Sequence, residues 1–439
     1  VWAGPVWSLS TVDALTVDDF ESYSNVSPDR PFQAWLDGFS YSSDEFFPVA
    51  YGGNGTGAGI GHDIWSLSSP DYDGDIMETG NTISGSGQSM PFYYSNSGGV
   101  ASETQRSFTV PQDWTVGGSQ TLSIAFNGQA GNTGTLYVKI NSTKVTYSLD
   151  AGNIAMSAWQ VWNIDLAEVG GNLSNISTMS IGVDGATASG MILIDDIKLY
   201  AQPGELITPI PPDSAGLVAQ YSFEGSANDS SGNGLHGQMT GSQLGSPGAP
   251  NQGSGVEIAI GGYVDLGNPS ALDFGTGDWT VTAWFKSGMT GTGDANKGTI
   301  VSKGGDSGGG HRYALILSET TEGVVSLVTD DNSTKYVVNA STVTNDDQWH
   351  FVAGQREGTE IRITIDGQLE ATATADPAYD LSGTSQHNAY IGAVTNNSSA
   401  TLYKLLDGSV DEVSIYNRAL SAEELLWMAG RTTPIQKPF

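Results

Sequence analysis

The chain has no cysteine in its 439 residues, which removes disulfides, thiolate metal sites and cysteine nucleophiles together. Basic residues are scarce. Sixteen Lys and Arg face 48 Asp and Glu, a formal net charge of −32. Such a surface repels nucleic acid and anionic membranes, so neither is expected as a partner without bridging cations. No apolar run approaches the roughly 20 residues that span a bilayer, which predicts a soluble mature chain without membrane insertion. The first residue is Val1, not Met, and a processed or trimmed chain, its signal peptide removed, is the expectation. Five histidines leave few general bases, and no His-Glu-x-x-His motif occurs.

Glycine is plentiful, at 58 residues, while only 15% of the chain is charged. That balance suits strands and turns, and the length exceeds one comfortable hydrophobic core, so two domains are expected. The acidity would keep a secreted protein soluble, and it is compatible with calcium, which takes carboxylate and carbonyl oxygens. The sequons at Asn54, Asn141, Asn172, Asn332 and Asn397 would be acceptors only in a glycosylating host.

The clearest boundary is the proline-rich stretch from Gln202 to Asp213, where prolines block ladder pairing and favour a semi-rigid spacer. The organisation expected is an N-terminal extension (1–15, with Trp2 and Trp7), a first domain (16–202), the linker (203–214), a second domain (215–430) and a tail (431–439). In the first block, runs such as Leu122, Ile124, Phe126, then Leu136, Val138, Ile140, then Trp162, Ile164, Leu166 alternate with period two. Gly, Asn and Ser clusters separate them, the pattern of a β-sandwich. The fold class expected is all-β, two tandem antiparallel β-sandwiches of jelly-roll type.

The C-terminal block carries the more specific marks. Opening strand Leu217–Gly225 leads to a turn dense in carboxylate, amide and glycine, Asn228–Gly237. The strands Trp279–Phe285 and Gln348–Gly354 follow, then a strand-Asp-Gly-strand hairpin at Ile363–Gln368. Last comes Gly408–Leu425, in which Ser421 and Glu424 have the spacing of a capping box. In order and across residues 216 to 430 this resembles the laminin-G-like domains of the concanavalin A-like lectin/glucanase superfamily, which implies a two-sheet jelly roll that mostly binds glycans. The first block opens with a strand, Val17–Tyr23, that carries Asp-Phe-Glu and ends with Asp195-Asp196-Ile197-Lys198-Leu199. Those two ends resemble the jelly-roll carbohydrate-binding modules of the galactose-binding-like superfamily. That resemblance implies a structural calcium shared by Glu21 and Asp195 or Asp196, with Asp19 as a spare. The plainer alternative is edge-strand carboxylates that discourage aggregation.

Asp229 and Asn233 form a second candidate calcium turn, because charge, amide oxygen and permissive glycines coincide there. The laminin-G-like resemblance puts Asp411 within reach as a further ligand, and an Asx-turn without metal is the alternative. One structural calcium per domain is the cofactor expectation.

Sugars need aromatic platforms beside amide or carboxylate groups. The candidates are His311, Arg312 and Tyr313 after the glycine run 304–310, Asp331 and Asn332 in a turn with Asp330, and Tyr403 near Asn396 and Asn397. In the first block they are His62 within the glycine-rich segment Tyr51–Trp65, and Tyr93 and Tyr94. Trp279, Trp284 and Trp349 sit in strand patterns and read as core, with His350 structural. Retaining glycosidases of the concanavalin A-like fold carry Glu-x-Asp-x-x-Glu, two carboxylates at the spacing of about 5 Å that the mechanism needs; this chain lacks that strand, so no enzyme is expected. His62 and Asp63 cannot pair, since adjacent strand residues face opposite sides.

The reading is a secreted or cell-surface, calcium-stabilised, lectin-like protein for extracellular polysaccharide or glycoprotein glycans. One alternative is a matrix or cell-surface protein that self-assembles into a layer or filament, its termini adding strands to neighbours. Another is a pair of accessory modules from a larger polysaccharide-degrading enzyme.

Overall fold

A computed structural model describes residues 14–68, 74–83, 85–306, 311–382, 387–399 and 401–439. The extension with Trp2 and Trp7, and positions 307–310 of the glycine run, lie outside the described residues. The chain divides into two compact units, residues 1–206 with 435–439, and residues 207–434. The last five residues therefore do not form a separate tail. Gln436 Nε2 donates to the Asn163 carbonyl at 2.8 Å, and the Phe439 ring stacks on Tyr200 at 3.9 Å, all within the first unit.

The first unit is an antiparallel sandwich. One sheet runs Ala58–Ile60, Met90–Ser95, Ser189–Tyr200, Thr121–Asn127, Trp159–Asp165, with Ala14–Asp18 also paired to Ser189–Tyr200. The other runs Trp35–Leu36, Ser102–Gln112, Ile176–Asp184, Thr135–Ile140, Thr143–Thr146. Period-two residues Leu122, Ile124, Phe126 and Leu136, Val138, Ile140 fill the space between the sheets, as alternation requires when one face is buried. The outward face of the first sheet is covered as well, by a small cluster of Ala125, Trp159 and Leu193 with Ile83 and Met191. The third predicted run stops one residue early. Asp165 caps a short helix, Leu166–Val169, its carboxylate accepting from Ala167 N–H, so Leu166 is buried from a helix and not from a strand.

In the second unit one hydrogen-bonded ladder links all the strands. At its centre Gly408–Tyr416 lies between Ser254–Asp265 and Trp279–Lys286, with Leu217–Tyr221 alongside. The ladder curls until its end strands meet, where Glu370 of Gln368–Thr374 accepts from Thr342 of Lys335–Val343 at 2.8 Å. Trp279 is fully buried in the main core. Trp284 and Trp349 pack instead in a second cluster with Phe351 and Tyr416, under the helix Ala422–Met428.

The hairpin joining Glu360–Ile365 to Gln368–Thr374 turns through Asp366 and Gly367, both left-handed (φ 50° and 84°). A two-residue turn of that twist matches the strands it joins. The helix starts with the reciprocal capping box of Ser421 and Glu424.

Both opening strands end sooner than their sequence pattern predicts. Ala14–Asp18 and Leu217–Tyr221 stop before Phe20 and Phe223, two buried phenylalanines with φ of 59° and 54°. A left-handed phenylalanine turns the chain out of the ladder, at a cost met by burying its ring.

Candidate functional site

A concave feature of the first unit lies beside the strands Ala58–Ile60 and Met90–Ser95. It is a cleft of about 850 Å³ lined by the segment 30–44, the loop 59–65 and Tyr93. Its aromatic surfaces are bare. Phe39 is 69% exposed and Trp65 63%, far from the usual fate of such side chains. The reason Phe39 stays out is geometric. Its ring lies against the backbone of Gly59, where an added Cβ would sit 2.6 Å from the ring, so a side chain at position 59 would push the ring aside. Phe32 packs between Tyr41 and Trp65, at centroid distances of 5.7 and 6.1 Å.

Carboxylates edge these rings. Asp37 is buried, its oxygens accepting from Phe39 N–H at 2.9 Å and Ile60 N–H at 2.7 Å. Burial pushes its carboxyl up to about 6, against the pull of those two donors. Asp44 accepts from the Phe46 and Phe47 N–H groups, and exposed Asp63 from Trp65 N–H at 3.0 Å. His62 is buried and does not face the cleft as a free base. Its Nδ1 lies 2.6 Å from the Tyr93 hydroxyl and its Nε2 3.3 Å from Glu78. Asp63 is exposed, so the two neighbours part, but in a loop beyond the strand Ala58–Ile60 and not by strand alternation. Of the first-unit candidates, His62 and Tyr93 thus come together at the cleft. Tyr94 does not: its ring is core and its hydroxyl donates to the Thr133 carbonyl. Sequence reading missed Phe39, Asp37 and Trp65's partner ring Phe32; the one available signal was an apolar ring followed by glycine-rich chain.

A second arrangement occurs once in each unit. In the first, Glu21 follows left-handed Phe20, and Asp195 precedes left-handed Asp196 (φ 45°) at a bulge in the last strand. In the second, Glu224 follows left-handed Phe223, and Asp411 precedes left-handed Glu412 (φ 46°) at a bulge in Gly408–Tyr416. Each Glu receives backbone N–H groups from a glycine-bearing loop, Glu21 from Gly87 and Gln88, Glu224 from Ser254. Asp195 and Asp411 are fully buried. Asp195 Oδ1 takes Asp196 N–H at 2.8 Å, while Oδ2 is buried with no hydrogen-bond partner. Burial chiefly, with Asp196 and Glu21 adding to it, raises this carboxyl to about 7. The neighbouring Ser86 hydroxyl lies 2.6 Å from Glu21 and 2.9 Å from the Gln88 carbonyl, and it opposes the rise of the Asp195 carboxyl. Burial likewise raises Asp411 to about 6 and Glu412 to about 7, with Glu224 adding repulsion to both. Asp19 stands apart, exposed and accepting from Glu21 N–H, and Asp196 turns to Lys198 at 2.6 Å. Among the described residues no three His, Asp or Glu side chains form a group that could hold a metal ion. An orphaned buried carboxylate oxygen beside a second carboxylate nevertheless suits a hard cation completed by carbonyl or water oxygens. Glu224 was missed in the sequence, although Val410–Tyr416 repeats the pattern of Ile194–Tyr200.

Residues 259–426 match the Laminin_G_3 family, described as concanavalin A-like lectin/glucanases superfamily. No curated protein matches the chain. Among solved structures, domain 4 of AbnA, a GH43 extracellular arabinanase from Geobacillus stearothermophilus in complex with arabinotriose, is similar at 21% identity and a TM-score of 0.40; the match covers 49% of this chain and 100% of that one. The binding domain of Paraclostridial Mosquitocidal Protein 1 is similar at 13% identity and a TM-score of 0.37, with 49% and 52% covered. A botulinum neurotoxin type C structure, in a study of cell entry through two ganglioside molecules, is similar at 11% identity and 0.36, with 49% and 51% covered. The chain thus spans about half the length of the two toxin chains.

In the Laminin_G_3-like unit the predicted residues scatter. Arg312 and Tyr313, expected at an accessible rim, are interior. Arg312 is buried and pairs with Asp306, and the Tyr313 hydroxyl donates to the Leu272 carbonyl at 3.2 Å. Their strand, His311–Leu317, is interior to the ladder and covered on both faces: Tyr313, Leu315 and Leu317 pack in the main core, while Ala314 and Ile316 pack in a separate cluster on the other side. His311 sits at the strand start opposite Asp331. Asp331 accepts from Ser333 and Thr334 and closes the turn through left-handed Asn332. The Tyr403 hydroxyl donates to Asp306, which Lys404 also contacts at 2.6 Å; Arg312 and Lys404 outweigh burial and hold the Asp306 carboxyl down at about 2. Asp229 spends its oxygens on the N–H groups of Gln220, Ser231 and Leu235. Although burial opposes them, those bonds hold it below the usual carboxylate range. Asn233 donates to the Leu217 and Val218 carbonyls. Asp229 closes an Asx-turn through Ser231 N–H, Asn233 ties that turn to the opening strand, and Asp411 takes its backbone donors from Ala249 and Glu412.

Proposed function

We propose that the chain is an extracellular, non-catalytic glycan-binding protein whose first-unit cleft holds the sugar and whose two carboxylate corners each hold a calcium ion. The observation that carries the reading is Phe39, with its ring face bared over Gly59, standing with Trp65 and Asp37 in one cleft. Apolar ring faces edged by hydrogen-bond acceptors are what a sugar's own apolar face and hydroxyls require. The superfamily match of the second unit supports the same class of function. At the corners, Glu21 with Asp195 and Glu224 with Asp411 would be the carboxylate ligands, and calcium would neutralise the buried charge.

The test is a glycan-array screen of the intact protein, in calcium and again in EDTA, followed by Trp65→Ala and Phe39→Ala. A defined glycan class should bind, and each substitution should weaken binding at least about tenfold, since burying an aromatic face contributes roughly 1.5–3 kcal/mol. Silence on the array would overturn the reading. Unchanged binding by the folded double variant would remove the site from this cleft.

A further inference from the structure

We propose that the first-unit cleft selects sugars that carry a free, protonated amino group over neutral or acidic ones. This rests on the glycan-binding reading and adds the chemistry of the ligand. Three carboxylates, Asp37, Asp44 and Asp63, line the same space as the exposed rings of Phe39 and Trp65. Among the described lining residues Arg30 is the only lysine or arginine. It is already engaged, its Nε donating to the Asn25 carbonyl at 3.0 Å and its guanidinium standing 5.7 Å from the Trp65 ring centre. A uronate or sulfate entering here would be desolvated against an excess of carboxylates, with a single guanidinium, stacked over Trp65, to offset them. A neutral sugar would gain stacking and hydroxyl hydrogen bonds only.

An ammonium on the sugar gains twice more. The exposed face of Phe39 attracts it through its quadrupole, whereas the Trp65 ring already carries Arg30. The carboxylates supply charge-assisted hydrogen bonds, stronger than those between neutral partners. Asp37 contributes most. It is 2% exposed, so water screens it little; burial raises its carboxyl to about 6, so the ionised form predominates only above that pH, and its oxygens, which accept from Phe39 and Ile60 N–H, keep lone pairs for a ligand. The formal charge of −32 would attract any polycation, so selectivity must be separated from that background.

Titration calorimetry of the intact protein would compare a tetramer of glucosamine, its N-acetylated counterpart, a neutral glucose tetramer and a tetragalacturonate, at pH 6.5 and moderate salt. The free-amine tetramer should bind at least about tenfold tighter than the two neutral ones, and the uronate should not bind. Tetralysine, which has similar charge and no sugar face, should not displace the amine. Asp63→Asn, which keeps an oxygen for Trp65 N–H, should lower severalfold the ratio of free-amine to neutral-tetramer affinity. Equal affinity for the amine and neutral tetramers would overturn this inference while the glycan reading stands. Displacement by tetralysine would overturn it as general charge attraction. If neither of these nor any array glycan bound, both would fall.

Discussion

Asp195 has one oxygen satisfied and one buried bare. An ionised carboxylate in that position is costly unless something neutralises it. Its folded pKa of about 7 lies above the unfolded value, so the folded state holds the extra proton between roughly pH 4 and 7. Without calcium the stabilising contribution is therefore complete below about pH 4 and is lost as pH rises through 7, on the order of a few kcal/mol. Asp195→Asn removes the titrating group. In EDTA at pH 8 the variant should be at least as stable as the parent in urea melts, whereas in calcium it should be less stable. An equal loss in both conditions would mean that Asp195 is structural and binds no cation. His350 shows the same slope for the opposite kind of group. Burial lowers its pKa, but Asp366 at 2.8 Å and Asp346 at 3.2 Å win and raise it to about 10. Its contribution is complete below the unfolded value near 6.5 and is lost as pH climbs through 10. His350→Gln should unfold more easily at pH 6.5, with the gap to wild type closing by pH 10.5. A constant gap would show that the imidazole is neutral in the fold.

At the scale of elements, the closing segment shows what local sequence can specify. Ser421 accepts from Glu424 N–H, Glu424 returns to Ser421 N–H, and Arg418 clamps Glu424 at 2.7 Å. Ser421→Ala should cost about 0.5–2 kcal/mol in chemical denaturation, and no change would mean that Arg418 alone sets the helix start. This cap, the Asp366-Gly367 turn and the period-two strands were all legible, because each depends on residues a few positions apart. The ends of the opening strands were not. Nothing in Asp-Phe-Glu or Ser-Phe-Glu marks phenylalanine as left-handed, since its ring is held by packing with distant residues. Arg312 and Tyr313 misled for a related reason: a polar tripeptide after glycines reads as a rim, while ladder order puts it inside. The cleft was half legible. Tyr51–Trp65 and Tyr93 were visible as exposed aromatics, but Asp37 and Phe39 join them only through the pairing of Ala58–Ile60 with Met90–Ser95.

At the scale of the molecule, both units place a Phe-Glu turn against an acid-acid bulge in the last strand, although only residues 259–426 match the Laminin_G_3 family. Two corners of the same design predict two calcium effects that can be told apart. A ligand bound only to the folded state stabilises it by RT ln(1 + [L]/Kd), about 2.7 kcal/mol at a hundredfold excess over Kd. Hydrogen exchange read peptide by peptide should therefore show EDTA loosening Ser189–Tyr200 and Gly408–Tyr416, the strands that carry Asp195 and Asp411. Asp195→Asn should abolish the EDTA response in the first strand and leave the second intact, and Asp411→Asn should do the reverse. The response of Asp229→Asn should match wild type, because the oxygens of that carboxylate accept the backbone N–H groups of Gln220, Ser231 and Leu235. If Asp229→Asn alone removed the response of the second unit, the metal would belong to the Asx-turn and the likeness of the two corners would be one of backbone only. If EDTA changed neither strand, the buried carboxylates would be held by protonation, and stability should then climb as pH falls from 8 to 5.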